Sequence, residues 1–114
     1  MAISKKGSRT ITVNGIAYRW VVSPDSGYAV VVVELEPNPG ERLLGYCNPF
    51  TEARSPDAGG LRLNTIHRTI SPGAVTRLIR AALERGWQPA KKGTAEFRIR
   101  SADAILWPET GTPD

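Results

Sequence analysis

The stretch that decides the fold is Arg9-Thr10-Ile11-Thr12-Val13-Asn14-Gly15-Ile16-Ala17-Tyr18-Arg19-Trp20-Val21-Val22. Asn14-Gly15 supplies the two residues tolerant of positive φ that a type I′ turn requires, and the twist of that turn matches a pair of antiparallel strands. A two-residue hairpin follows, and its register can be written down: Val13 faces Ile16, Ile11 faces Tyr18, and Arg9 faces Trp20. Because side chains alternate across a strand, Ile11, Val13, Ile16, Tyr18, Trp20 and Val22 share one face, while Thr10, Thr12, Ala17 and Arg19 share the other. One side of the hairpin is made for a core and the other for water.

Outward from the hairpin, Ser23-Pro24-Asp25-Ser26-Gly27 has the composition of a turn, with Asp25 a turn residue. Tyr28 to Leu35 is then a strand rich in β-branched residues, and being apolar on both faces it belongs in the centre of a sheet. Pro37-Asn38-Pro39-Gly40 ends it, and Arg42 to Cys47 reads as a fourth strand. Residues 48–60 hold two prolines, two glycines and no apolar periodicity, so they read as a long loop. Strand character returns from Leu61 to Ile70. Ser71-Pro72-Gly73 opens the one amphipathic helix, with Ser71 suited to accept from the first free amides and Pro72 to the first helical position. Val75, Leu78, Ile79, Ala82 and Leu83 follow helical spacing, and Gly86 marks the stop. Ala95, Phe97 and Ile99 alternate with Glu96, Arg98 and Arg100 in a last, half-buried strand. The expected fold class is therefore α+β: a bent antiparallel sheet of about six strands with one amphipathic helix packed on one face, in the order β-β-β-β-β-α-β. It forms a single domain over residues 9–103, with a flexible N-terminus at 1–8 and a flexible tail at 104–114.

Ile70-Ser71-Pro72-Gly73-Ala74-Val75, the helix after it, Ala82 through Gly86-Trp87-Gln88-Pro89, and then Gly93 and Phe97-Arg98 resemble an uncharacterised family of small bacterial proteins. Ile11-Thr12-Val13-Asn14-Gly15 and Tyr18-Arg19-Trp20 look like the opening hairpin of the same family. The resemblance covers most of residues 9–100 and excludes Pro37 to Gly60. It implies a bacterial source and a stand-alone domain, and it brings no activity with it.

Composition narrows the function classes. The longest apolar run, Tyr28 to Val33, is far short of the roughly twenty residues that span a bilayer, so no membrane partner is expected. Lys5, Lys6 and Arg9 lead into no apolar run, so a secretory signal is not expected and a cytoplasmic location is the default. A single cysteine, Cys47, allows neither an internal disulfide nor a cysteine-clustered zinc site. The formal net charge is +4, and eleven of the fifteen basic residues are arginine, the side chain best shaped for planar recognition of carboxylate or phosphate.

Several small constellations have plain structural readings. The Ser71-Pro72-Gly73 helix start could hold an anion on free amides but reads first as a cap. Gly59-Gly60 precedes a strand and so lacks the context of a phosphate loop, and no complete nucleotide-binding glycine motif occurs. Cys47 and His67 are the sole candidate thiol and imidazole pair, yet both fall on expected strands without a catalytic signature. His67 alone lacks the ligand count for a transition metal. Glu34 and Glu36 share a strand face and read as solvated strand-end charges. Trp20 and Trp87 read as core anchors, and Trp107 as a residue that docks the tail or meets a partner.

Charge layout is more informative. Arg77, Arg80, Arg85, Lys91, Lys92, Arg98 and Arg100 stand against only Glu84 and Glu96, a balance of +5 where the whole chain carries +4. These are the candidate binding residues, expected to form one basic stripe over the helix exterior, the following turn and the last strand. The reading reached from sequence is a non-enzymatic binding module with no cofactor and no metal, acting through this stripe on an acidic protein partner, as an immunity protein does on its toxin. The alternative is nucleic-acid binding through the same residues. The oligomeric state stays open.

Overall fold

The computed structural model describes residues 7–25, 28–36, 38–57, 60–93 and 95–108. The elements are β1 (Arg9–Val13), β2 (Ile16–Asp25), β3 (Tyr28–Leu35), β4 (Arg42–Cys47), β5 (Phe50–Asp57), β6 (Gly60–His67), α1 (Pro72–Glu84), β7 (Glu96–Ile99) and α2 (Asp103–Leu106). The fold is α+β. Five strands form one open sheet in the order β1-β2-β3-β4-β7, and β5 and β6 pair with each other in a second, two-stranded sheet.

The opening hairpin has the register its residues dictate, from Val13 opposite Ile16 to Arg9 opposite Trp20. Its turn holds Asn14 at φ 53° and Gly15 at φ 79°, the left-handed values that Asn-Gly tolerates. β3 pairs antiparallel with β2 and β4 and occupies the centre of the sheet.

α1 begins as its sequence requires, with the Ser71 side chain accepting from the Ala74 amide at 3.2 Å. It ends in a paired closure: Trp87 N donates to Ala82 O at 2.9 Å and Gly86 N to Leu83 O at 3.2 Å, with Gly86 at φ 104°. Ala74, Val75, Leu78, Ile79 and Ala82 are buried. They pack on the sheet face that carries Val13, Tyr18, Trp20, Val31, Val33 and Leu43. Gly45 lets the helix sit close, because a Cβ there would come within 2.8 Å of the Leu78 side chain. Trp87 closes one side of this core against the Tyr18 ring, 5.7 Å between centroids, and donates its indole N–H to Glu41 O at 2.9 Å.

Three features depart from the sequence reading. The main sheet is mixed, because β7 runs parallel to β4; a helix crossing the sheet face returns the chain in its original direction. Residues 50–57, expected to be loop, form β5 and pair with β6 from Phe50 opposite His67 to Asp57 opposite Gly60. A two-stranded ribbon outside the main sheet need not show the apolar alternation that reveals a strand. The third departure is α2, which starts at the last residue of the expected domain and runs into the expected flexible tail at 104–114. Ala102 and Leu106 are fully buried in the core and Ile105 and Trp107 pack against it, so order extends through Trp107. Residues 109–114 and 1–6 lie outside the described residues. In keeping with a strand apolar on both faces, Val31 and Val33 of β3 face the helix, and Val30 and Val32 occupy the opposite face.

The root of the β5–β6 ribbon is tied to this C-terminal segment. Arg68 forms an ion pair with Asp103 at 2.7 Å, donates to Asn48 O at 2.5 Å, and lies over the Trp107 ring at 4.2 Å from its centroid. The other Asp103 oxygen accepts from Asn48 N at 3.2 Å, and the Trp107 indole donates to Thr69 O at 2.8 Å.

Candidate functional site

Neither helix packs on the second face of the main sheet. By strand alternation it carries Arg19 and Val21 of β2, Tyr28, Val30, Val32 and Glu34 of β3, Arg42, Leu44 and Tyr46 of β4, and Glu96 and Arg98 of β7. The two ends of this face differ. At one end charges are matched: Arg19 holds Glu36 in a two-pronged contact with both hydrogen bonds at 3.0 Å, and Arg42 lies 3.7 Å from Glu34 and 3.9 Å from Glu96. At the other end Tyr28, Tyr46, Arg98 and Arg100 line an open cleft of about 510 Å³.

The strand register builds this cleft. Tyr46 lies opposite Val30 and Arg98 opposite Leu44, with Val30 and Leu44 both buried between the polar side chains. Tyr28, at the first position of β3, is 60% exposed. Arg98 donates to Glu96 at 2.9 Å, and that bond, with Tyr46 nearby, holds its guanidinium still more firmly in the charged form. Arg100 makes no ion pair among the described residues. Two guanidinium groups and two phenols around one opening can take a carboxylate or phosphate through charge-assisted, forked hydrogen bonds beside apolar ring surface.

The seven basic residues singled out in the sequence do not form one stripe. The outer side of α1, with Arg80 and Arg85, faces away from the sheet, whereas the Glu96 and Arg98 side of β7 lies on the sheet face opposite the helix. Alternation along β7 makes this separation, because Phe97 and Ile99 must point to the core. Arg77 is occupied: it donates to Leu106 O at 2.7 Å and Ile105 O at 3.3 Å and so closes the end of α2. Arg80, Arg85, Lys91 and Lys92 are exposed and make no ion pair among the described residues. Of the seven, Arg98 and Arg100 come together in a concave setting. Tyr28 and Tyr46 escaped the sequence reading, although their positions two and four residues from other outward-facing residues of β3 and β4 carried the signal.

The remaining candidates have structural partners. Cys47 is 3% exposed and its thiol is pushed up to about 11, by burial first and by Asp103 second, with Arg68 opposing. The side chain of His67 lies outside the described residues, and its backbone pairs with Phe50. Glu34 and Glu36 go to different arginines, and Glu34 is almost fully buried. Ser71 caps α1 with its own hydroxyl. Asp25 ends β2 opposite Tyr28, and Gly59 lies outside the described residues. No group of three His, Cys, Asp or Glu side chains is placed to hold a metal among the described residues. No helix among them is long and apolar enough to cross a membrane.

Compared with protein-family models, curated proteins and solved structures, the chain finds no match.

Proposed function

We propose that this chain is a non-enzymatic binding module whose Tyr28, Tyr46, Arg98 and Arg100 cleft takes acidic side chains of a protein partner. The observation that carries this reading is the cleft itself, which gathers two arginines and two tyrosines on a sheet face that neither helix covers. Charge layout favours a protein over a nucleic acid. Along the rest of the face Arg19 meets Glu36 and Arg42 meets Glu34 and Glu96, so surplus positive charge is confined to one end. Such a site suits one or two carboxylates, whereas a nucleic-acid strand needs a continuous basic track. The protonated, buried state of Cys47 supports a binding role over thiol catalysis.

The second reading is single-stranded nucleic acid, and the exposed ring of Tyr28 favours it, because bases stack on aromatic side chains of open sheets. Calorimetric titration with an acidic peptide and with an unrelated oligonucleotide separates the two. The peptide should bind with one defined stoichiometry and lose at least tenfold in affinity in the Arg98→Ala, Arg100→Ala double variant. Oligonucleotide binding with a log-log salt slope growing by about 0.7 per engaged phosphate would replace the protein reading with the nucleic-acid one. Removing the competing carboxylate with Glu96→Gln should strengthen peptide binding. Weakening in that variant would mean that Arg98 does not hold the ligand.

A further inference from the structure

The β5–β6 ribbon has two outer edges of unequal character. Among the described residues neither strand pairs with anything but the other. The register, together with the bond from Arg68 N to Pro49 O, sets which backbone groups point inward: pairs 51 and 66, 53 and 64, 55 and 62, and 57 and 60 exchange hydrogen bonds. The residues between them direct their N–H and C=O groups outward. On β5 these are Phe50, Glu52, Arg54 and Pro56, and this edge is blunted. Pro56 has no N–H, and Phe50 N already donates to Asn48 Oδ1 at 3.0 Å. On β6 they are Leu61, Leu63, Thr65 and His67, an unbroken row of donors and acceptors without proline or lysine.

We propose that the β6 edge pairs antiparallel with the β6 edge of a second copy of this chain, joining two ribbons into one four-stranded sheet. The edge is self-complementary. With the two-fold axis at Asn64, Leu61 lies opposite His67 of the other copy and Leu63 opposite Thr65, so every outward group is matched and about eight backbone hydrogen bonds form. Arg62 then faces Ile66, so like charges are not opposed. The ribbon from Phe50 to His67 holds Glu52 and Asp57 against Arg54 and Arg62, a balanced set that favours another copy over a polyanion. Its presentation fits as well. The radius of gyration is 16.1 Å, where a compact chain of this length has about 13 Å. The contacts of Arg68, Asp103 and Trp107 fix the ribbon at its root, and among the described residues the β6 edge pairs with no other strand. A two-stranded ribbon is marginal alone, and two further strands stabilise it.

Sedimentation and light scattering across a concentration series test this directly. The expected result is reversible dimerisation, to twice the 12.4 kDa of the chain. Leu63→Pro removes an outward donor from the middle of the β6 edge and should shift the dimer to monomer at least tenfold. Glu52→Pro removes one from the β5 edge and should leave the dimer intact. Asn64→Cys gives a readout independent of proline. It places two thiols across the axis, about 4.5 Å apart at Cα, and should crosslink under mild oxidation, while Leu61→Cys and the wild type with buried Cys47 should not. A chain that stays monomeric at millimolar concentration overturns the proposal. So does a dimer that survives Leu63→Pro, or one that crosslinks equally through Leu61→Cys.

Discussion

The molecule contains two antiparallel hairpins whose circumstances differ throughout. In β1–β2 the middle of one face is covered: Val13, Tyr18 and Trp20 are buried under α1, Ile16 and Val22 at its ends stay exposed, and β2 continues the ladder into β3. In β5–β6 the ladder ends at each strand among the described residues, and the ties to the body that the structure describes lie at the root, at Arg68, Asp103 and Trp107. The first hairpin is therefore fixed by burial and the second by its own backbone bonds and by side chains that grip its base. A strand becomes obligatory when one face is covered, and without cover it depends on its termini or on a partner.

The largest effect should come from the cover itself. Leu78 is fully buried and fills the space that Gly45 leaves, so Leu78→Ala should cost about 2–5 kcal/mol, read by denaturant titration. A smaller loss would mean that the helix does not fix the first hairpin. At the root of the second, Asp103→Ala leaves a half-buried Arg68 guanidinium without its carboxylate and should cost about 1–3 kcal/mol. The same variant should lower the Cys47 pKa, since Asp103 raises it, and so quicken thiol labelling at high pH. A third test is alkaline. Burial raises the Cys47 thiol from 9.0 to about 11, so the unfolded chain loses this proton first and binds fewer protons than the folded one. Stability from this group is complete below pH 9 and should fall as pH rises toward 11. The Tyr18 hydroxyl, also raised by burial, adds to the fall above pH 10. Cys47→Ala should flatten the lower part of that slope. The smallest effect should come from replacing residues 51–66 with a short Gly-Ser link. The melting transition of the remaining domain should change by less than about 1 kcal/mol, and a larger loss would show that the ribbon supports the body.

The same contrast explains what could be read beforehand. The first hairpin was legible to the residue because Asn14-Gly15 sets its register and burial imposes its alternation. α1 was legible from Ser71 to Gly86 for similar reasons, periodicity framed by two caps. β5 was not, since Pro56 and scattered charges break the apolar alternation that marks a strand in sequence. α2 has four residues, too few for a period, and its order comes from Leu106 packing under α1. The parallel direction of β7 follows from chain path rather than composition. Of the binding candidates, Arg98 and Arg100 could be found by charge alone. Their separation from Arg80 and Arg85 depended on which side of β7 faces the core, and Tyr28 and Tyr46 became visible only once the open face was known.

The parallel pairing of β4 with β7 also bears on how the chain reaches this fold. β1 to β4 form a meander of neighbouring strands that can zip from the Asn14-Gly15 turn, whereas β7 can join only after about fifty intervening residues have been looped back. The ribbon lies inside that loop. Closure entropy grows only with the logarithm of loop length, so removing its roughly eighteen residues would ease closure by only about 0.4 kcal/mol. The ribbon thus occupies a position where chain can be inserted, lengthened or exchanged with little penalty to the assembly of the body. A graft of a foreign hairpin between Asn48 and Arg68 should fold at close to the native rate.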